Sequence, residues 1–150
     1  MIRVTNGREA IVRLVDGEDL VQSLREIGVD SAVIVAAIGM LRALRFGYWN
    51  GRTYEEKEIE NPVELISMQG TIARSADGRA IHCHVSVAGR DGVVRGGHLL
   101  AATVTNTAEI ALLLIPGIAL DRRRESNGLL GLFPSLEDVA SHEAVQKLGT

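Results

Sequence analysis

The sequence predicts an α+β fold: a mainly antiparallel sheet of about seven strands flanked by one or two short helices. Three observations lead to it. Stretches such as Glu9 to Val15 and Arg79 to Ala88 alternate apolar and other residues, the period of a strand with one buried face. Turn dipeptides punctuate them: Asp16-Gly17, Asn50-Gly51, Asp77-Gly78, Pro116-Gly117 and Asn127-Gly128. Helical spacing appears only outside the long run of strands, which is the α+β arrangement.

Glu9 to Val15 reads as the first strand and ends at Asp16-Gly17. Glu18 to Ile27 places Leu20, Val21, Leu24 and Ile27 at helical spacing, with acidic residues in the first turn and Gly28 as the stop. Ser31 to Ile38 is apolar and rich in β-branched residues, which suits a strand buried on both faces and broken by Gly39. Leu41 to Trp49 follows as a separate strand, and Asn50-Gly51 returns the chain antiparallel through Thr53 to Ile59, whose acidic run reads as a solvated edge. Pro62 opens a strand from Val63 to Ala73. Asp77-Gly78 leads into a hairpin running through His98 to Val104, Thr107 to Ile115 forms another strand, and Ile118 to Glu125 a basic one. A Leu-rich segment comes next. Ser135 and Asp138, spaced like a capping box, predict a terminal helix to Leu148 that carries a solvated His142.

The 150 residues suffice for one self-sufficient domain, with 46% hydrophobic and 23% charged residues. One cysteine excludes an internal disulfide framework and agrees with a reducing cytoplasm. The N-terminus has no signal-peptide core, and the longest apolar run, Ala32 to Ile38, is too short to span a bilayer, so the expected location is cytoplasmic. A net charge of −3 and 3% aromatics argue against a stand-alone nucleic-acid binder.

The stretch that carries chemistry is Gly78 to Thr105, which holds three of the four histidines. Strand alternation puts Ile81, Cys83, Val85 and Val87 on the core face and His82, His84, Ser86 and Ala88 on the other. A three-residue loop, Arg90-Asp91-Gly92, pairs Gly89 with Val93 and sets His84 opposite His98, with His82 one step along the same face. A two-residue Asp91-Gly92 turn shifts the register by one and dissolves the cluster. Three neutral imidazoles converging in this way suit zinc or another divalent metal, with a fourth position left to water or a ligand. The alternative is polar residues on a half-solvated sheet face. Gly96 and Gly97 remove bulk beside the group and admit a close backbone or a small molecule. Cys83 faces the core as a small hydrophobe. Glu64 shares a strand face with Ile66 and Met68; it reads as a rim residue, a buried acid or a carboxylate that orients a histidine. Arg122, Arg123 and Arg124 alternate faces and read as a solvated edge.

With these residues laid out, the chain resembles the plant and prokaryote (PPC) domain family. The features that carry the likeness are E-L-I-S-M-Q-G at Glu64 to Gly70, H-C-H-V at His82 to Val85, D-G-V-V-R-G-G-H-L at Asp91 to Leu99 and T-A-E-I at Thr107 to Ile110. G-E-D-L at Gly17 to Leu20 and A-A-I-G at Ala36 to Gly39 also fit. The likeness spans roughly Glu9 to Gly128 of a single domain, 1–150, with 129–150 as a C-terminal extension. It implies an antiparallel α+β fold assembled as a homotrimer, and a histidine cluster, His82, His84 and His98, of the kind that takes a metal in single-domain prokaryotic members. Plant relatives contact DNA through a separate R-G-R-P hook, which this sequence lacks.

The leading expectation is therefore a trimeric module that binds a metal or small ligand, or a protein partner, in the cytoplasm. A DNA-associated protein presenting Arg42, Arg45 and Arg122 to Arg124 is the second reading. A metal-dependent hydrolase or lyase is the third; with no nucleophile-elbow motif or Ser/His/Asp order, the sequence leans away from an enzyme.

Overall fold

The computed structural model describes residues 1–137. Nine strands and one helix follow in the order β1 (Ile2–Asn6), β2 (Glu9–Val15), α1 (Leu20–Glu26), β3 (Ala32–Trp49), β4 (Tyr54–Ile59), β5 (Val63–Ser75), β6 (Gly78–Ala88), β7 (Val94–Leu114), β8 (Ile118–Arg124) and β9 (Leu130–Leu136). The path β1-β2-β7-β3-β5-β8-β9 is antiparallel except where β5 meets β8, and β4 is added beside β3. β6 pairs with both β5 and β7, so β3, β5, β6 and β7 form a closed circuit. Leu41, Met68, Val85, Val87, Leu99 and Val104 are buried in one continuous core on these strands.

α1 begins at Leu20, because the Asp19 side chain accepts a hydrogen bond from the Gln22 amide as an N-cap. The acidic residues expected in its first turn precede it instead; Glu18 accepts from the Val15 amide and the N-terminal ammonium. Leu20, Leu24 and Ile27 enter the core.

Three sequence expectations change. Gly39 does not break a strand: β3 runs on through it for 18 residues. A side chain there would place its Cβ 2.2 Å from the Thr107 carbonyl oxygen, so glycine lets β3 and β7 approach rather than parting them. β3 is buried on one face only; Val35 and Ile38 are about half exposed, at 50% and 57%. Likewise the expected strand Thr107 to Ile115 is not separate: β7 runs from Val94 to Leu114 through a bulge that holds the left-handed Asn106 (φ 63).

Two strands exceed expectation. β1 pairs with β2, and β9, which follows Asn127-Gly128, returns antiparallel on β8. The expected helix start at Ser135 lies within β9. The remainder of that helix, with His142, lies outside the described residues.

Candidate functional site

The site is built by the β6–β7 hairpin. Gly92 takes the left-handed conformation (φ 69) and its amide donates to the Gly89 carbonyl at 3.0 Å, closing the loop. Asp91 accepts from the Val93 amide and from Arg95, pinning the loop to the start of β7. The resulting register pairs Ala88 with Val94, Ser86 with Gly96 and His84 with His98, as the three-residue loop requires. Cys83, Val85 and Val87 point into the core, and burial pushes the Cys83 thiol up to about 12.

On the opposite face His82, His84 and His98 bring one ring nitrogen each within 4.8 Å of one another. Their ring centroids are 4.9 Å apart for His82 and His98 and 5.5 Å for the other two pairs. His84 is exposed, whereas His82 and His98 are half-buried. Burial, then the charge of Arg122 and the neighbouring imidazoles, holds His82 down to about 4. His98 is lowered for the same reasons, burial first. His82 and His98 are thus held in the neutral form at neutral pH.

Two further groups complete it. The Tyr54 ring stacks on His98 at 4.9 Å, carried there by the β3–β4 hairpin. Arg122 on β8 places Nη2 2.8 Å from His82 Nδ1 and 3.0 Å from Thr71 Oγ1, while Nη1 donates to the Leu130 carbonyl at 2.9 Å. Arginine has no acceptor, so His82 Nδ1 accepts this bond and the ring proton of neutral His82 sits on Nε2. His98 Nδ1 and Arg122 Nε are buried with no hydrogen-bond partner among the described residues. Beside the cluster lies a cavity of about 360 Å³, lined by Tyr54, Ile81, His82, His98, Arg122, Arg124, Leu129 and Leu130 together with Ala80 and Gly128.

The other expected residues fall elsewhere. Glu64 pairs with Ala88 on β6, far along the ladder from Gln69, the partner of His84. A bulge between Leu65 and Ser67 also separates the exposed Glu64 and Ile66 from the buried Met68, so Glu64 is a rim residue and not a partner of the histidines. Gly96 and Gly97 serve backbone approach: a Cβ on Gly96 would lie 2.1 Å from the Val85 carbonyl oxygen, and one on Gly97 2.8 Å from that of Gly47. Arg42 pairs with Asp16, Arg45 with Glu56 at 3.5 Å, and Arg123 with Asp121 while lying over the Phe133 ring. Arg124 donates to the Gly128 carbonyl at the cavity wall. The five arginines form no single patch, and Arg122, expected on a solvated edge, is instead part of the histidine site.

This geometry stands beside a clear likeness. The Plants and Prokaryotes Conserved (PCC) domain matches residues 1–116. The chain belongs to this PPC family. A plant- and prokaryote-conserved protein of Pyrococcus horikoshii is 30% identical, with a TM-score of 0.78 over 88% of this chain and 94% of its own. A metal-containing protein of Archaeoglobus fulgidus is also 30% identical, with a TM-score of 0.76 over 89% of this chain and 99% of its own. A candidate DNA-binding protein of Bacteroides thetaiotaomicron shares the fold, with a TM-score of 0.80 at 22% identity over 88% and 96% of the two chains. No curated protein matches the chain. Among the described residues of this PPC protein, no helix is long and apolar enough to cross a membrane.

Proposed function

We propose that this PPC protein is a trimeric binding module in which His82, His84 and His98 hold a divalent metal, zinc foremost, and leave a coordination position to a small ligand. The observation that carries this reading is the convergence of three ligand nitrogens within 4.8 Å. The residues fit the ion. Neutral imidazoles are the donors zinc and its neighbours prefer, and the buried, unpartnered His98 Nδ1 is a polar atom that a ligand would satisfy. The 30% identical Archaeoglobus protein, described as metal-containing, supports the same assignment.

When bound, the metal supplies a Lewis-acidic position. Before it binds, the chain's own residues orient the imidazoles: Tyr54 stacks on His98, and Arg122 holds His82 through Nδ1. His82 gives a metal its lone pair only when Arg122 yields this bond, so metal and guanidinium compete for one ring.

Assembly is supported by an uncovered apolar row on the outer face of β1, β2, β7 and β3. Val4 pairs with Ile11, Ile11 with Ala111 and Ala111 with Ala36, which sets the four on one face. Val4 is 67% and Ile11 57% exposed in the single chain. Such contiguous apolar surface marks an interface. Cytoplasmic placement belongs to this reading and rests on the lone, buried Cys83.

A binding role is favoured over hydrolysis because no carboxylate lines the cavity among the described residues, which leaves a metal-bound water without a general base there. The DNA-associated reading gains little from Arg42, Arg45 and Arg123, which are engaged by Asp16, Glu56 and Asp121.

The test is elemental analysis with solution mass on untagged wild type and His84→Ala. Stoichiometric metal in a trimer, lost in the variant, is the expected result. Metal-free wild type, or metal retained without His84, would overturn the site.

A further inference from the structure

The cavity beside the histidines has a composition that the metal reading does not use. Its two charged residues, Arg122 and Arg124, are both cations, and no acidic side chain lines it among the described residues. Asp121, the acidic neighbour of Arg122 along the chain, is committed elsewhere, bound twice by Arg74 at 2.9 and 3.2 Å. The remaining wall is apolar: Ile81, Leu129 and Leu130, with the ring of Tyr54. A site of like charges with an apolar wall favours a ligand that is anionic at one end and apolar at the other.

The donors are available. Arg122 carries five N–H groups and uses three, on Leu130, Thr71 and His82, while its buried Nε has no partner. Imidazoles bring no negative charge to offset a divalent ion, so occupation of the cluster would add two positive charges to those of the arginines. The same occupation displaces Arg122 from His82 Nδ1 and frees a further donor beside the cavity. Metal and anion binding are therefore coupled through one side chain.

We propose that the cavity binds a small organic carboxylate, with its head between Arg122 and the histidine cluster and its apolar body against Ile81, Leu129 and Leu130. Guanidinium and carboxylate match in geometry as well as charge, and an apolar wall distinguishes an organic acid from inorganic phosphate. This inference rests on the proposed function, in that it takes the histidine cluster to be a ligand site.

Calorimetry on zinc-loaded wild type, with zinc content measured on the same sample, tests it using benzoate, its neutral isostere benzamide and inorganic phosphate as probes. Benzoate is expected to bind, benzamide at least about tenfold more weakly. Arg122→Gln should weaken benzoate by about the same factor while retaining zinc, and Arg122→Lys should recover part of the loss. Equal binding of benzoate and benzamide overturns the proposal on wild type alone, whatever the variants do to folding. So does tighter binding of phosphate, which would make the site one for inorganic oxyanions, or zinc-loaded protein that takes no probe. Absence of zinc from a sample that still binds benzoate through Arg122 overturns the metal assignment and leaves the carboxylate site standing.

Discussion

Arg122 and His82 share a hydrogen bond of 2.8 Å between β8 and β6, two strands that do not pair with each other. The bond fixes the tautomer of His82 and sets a permanent cation against its ring. Removing the cation by Arg122→Leu takes away a charge that disfavours protonation, so the titration of His82 in metal-free protein should move up from about 4 toward the ordinary histidine range. The same variant frees Nδ1 and should tighten zinc. NMR titration of the ring protons reads the first effect; an unchanged His82 midpoint would show that the guanidinium does not govern this ring.

The depressed His82 has a consequence for stability. Its folded value, about 4, lies below the unfolded value of 6.5, so the unfolded chain binds more protons between these limits. Stability of the metal-free protein should be fully present above pH about 6.5 and fall as pH drops toward 4. Carboxylates such as Asp91 and Asp121, held low by Arg95 and Arg74, add their own losses at more acidic pH. His82→Gln isolates the histidine: wild type should lose stability faster than the variant as pH falls from 6.5 to 4, and parallel curves would count against the assignment.

Zinc should raise the melting temperature of wild type. A ligand present at 100 times its Kd stabilises by about 2.7 kcal/mol, which for a domain of this size is roughly 5–10 °C. His84 is exposed, so His84→Ala should melt like metal-free wild type and gain nothing from zinc. A full zinc shift in the variant would mean that the ion sits elsewhere.

Much of this site was legible in the sequence, and the part that was not has a physical reason. Local rules sufficed for the hairpin: alternation assigned the faces of β6, and a loop ending in Gly92 set His84 against His98. Arg122 and Tyr54 were missed because their approach depends on other strands. β8 reaches the sheet through one parallel pairing, Arg74 with Asp121, which leaves no trace in spacing or turn chemistry. Continuity of β3 and β7 was hidden for a related reason: Gly39 looks like a break along the chain, and only the neighbouring strand shows it to be a close approach to β7, while Asn106 lies in a β7 bulge opposite Gly39 to Leu41. Glu64 was drawn toward the histidines by a regular strand face that the bulge after Leu65 does not respect.

Gly96 tests how tightly the register is held. Alanine there would set its Cβ 2.1 Å from the Val85 carbonyl oxygen and 3.2 Å from the Ser86 Cα, both backbone atoms of the paired strand. The strands must separate beside His84 and His98, at a cost on the order of 1–3 kcal/mol or more. Gly96→Ala should therefore lower the melting temperature and also shrink the zinc-induced shift. Gly89→Ala is the comparison, since its Cβ would meet only the Asp91 side chain at 3.3 Å; it should change stability by no more than about 0.5 kcal/mol. Equal effects of the two would argue that the close approach of β6 and β7 at Gly96 does not matter to the site.

The apolar row on the outer face offers a separate test of assembly. Ile11 lies between Val4 on β1 and Ala111 on β7, more than half exposed in the single chain. Its alternate residues on β2, Ala10, Val12 and Leu14, are buried, so its own side chain contributes nothing to that core and its replacement should leave the chain folded. Buried between copies, an unpaired carboxylate at this position would be costly to desolvate, whereas in water it costs almost nothing. On the proposed trimer, Ile11→Glu should therefore shift the solution mass from three chains toward one of 16.1 kDa, with the far-ultraviolet spectrum and zinc content per chain preserved. A variant that remains trimeric would place the contact on another surface, and loss of zinc together with the trimer would mean that the histidine site depends on a neighbouring copy.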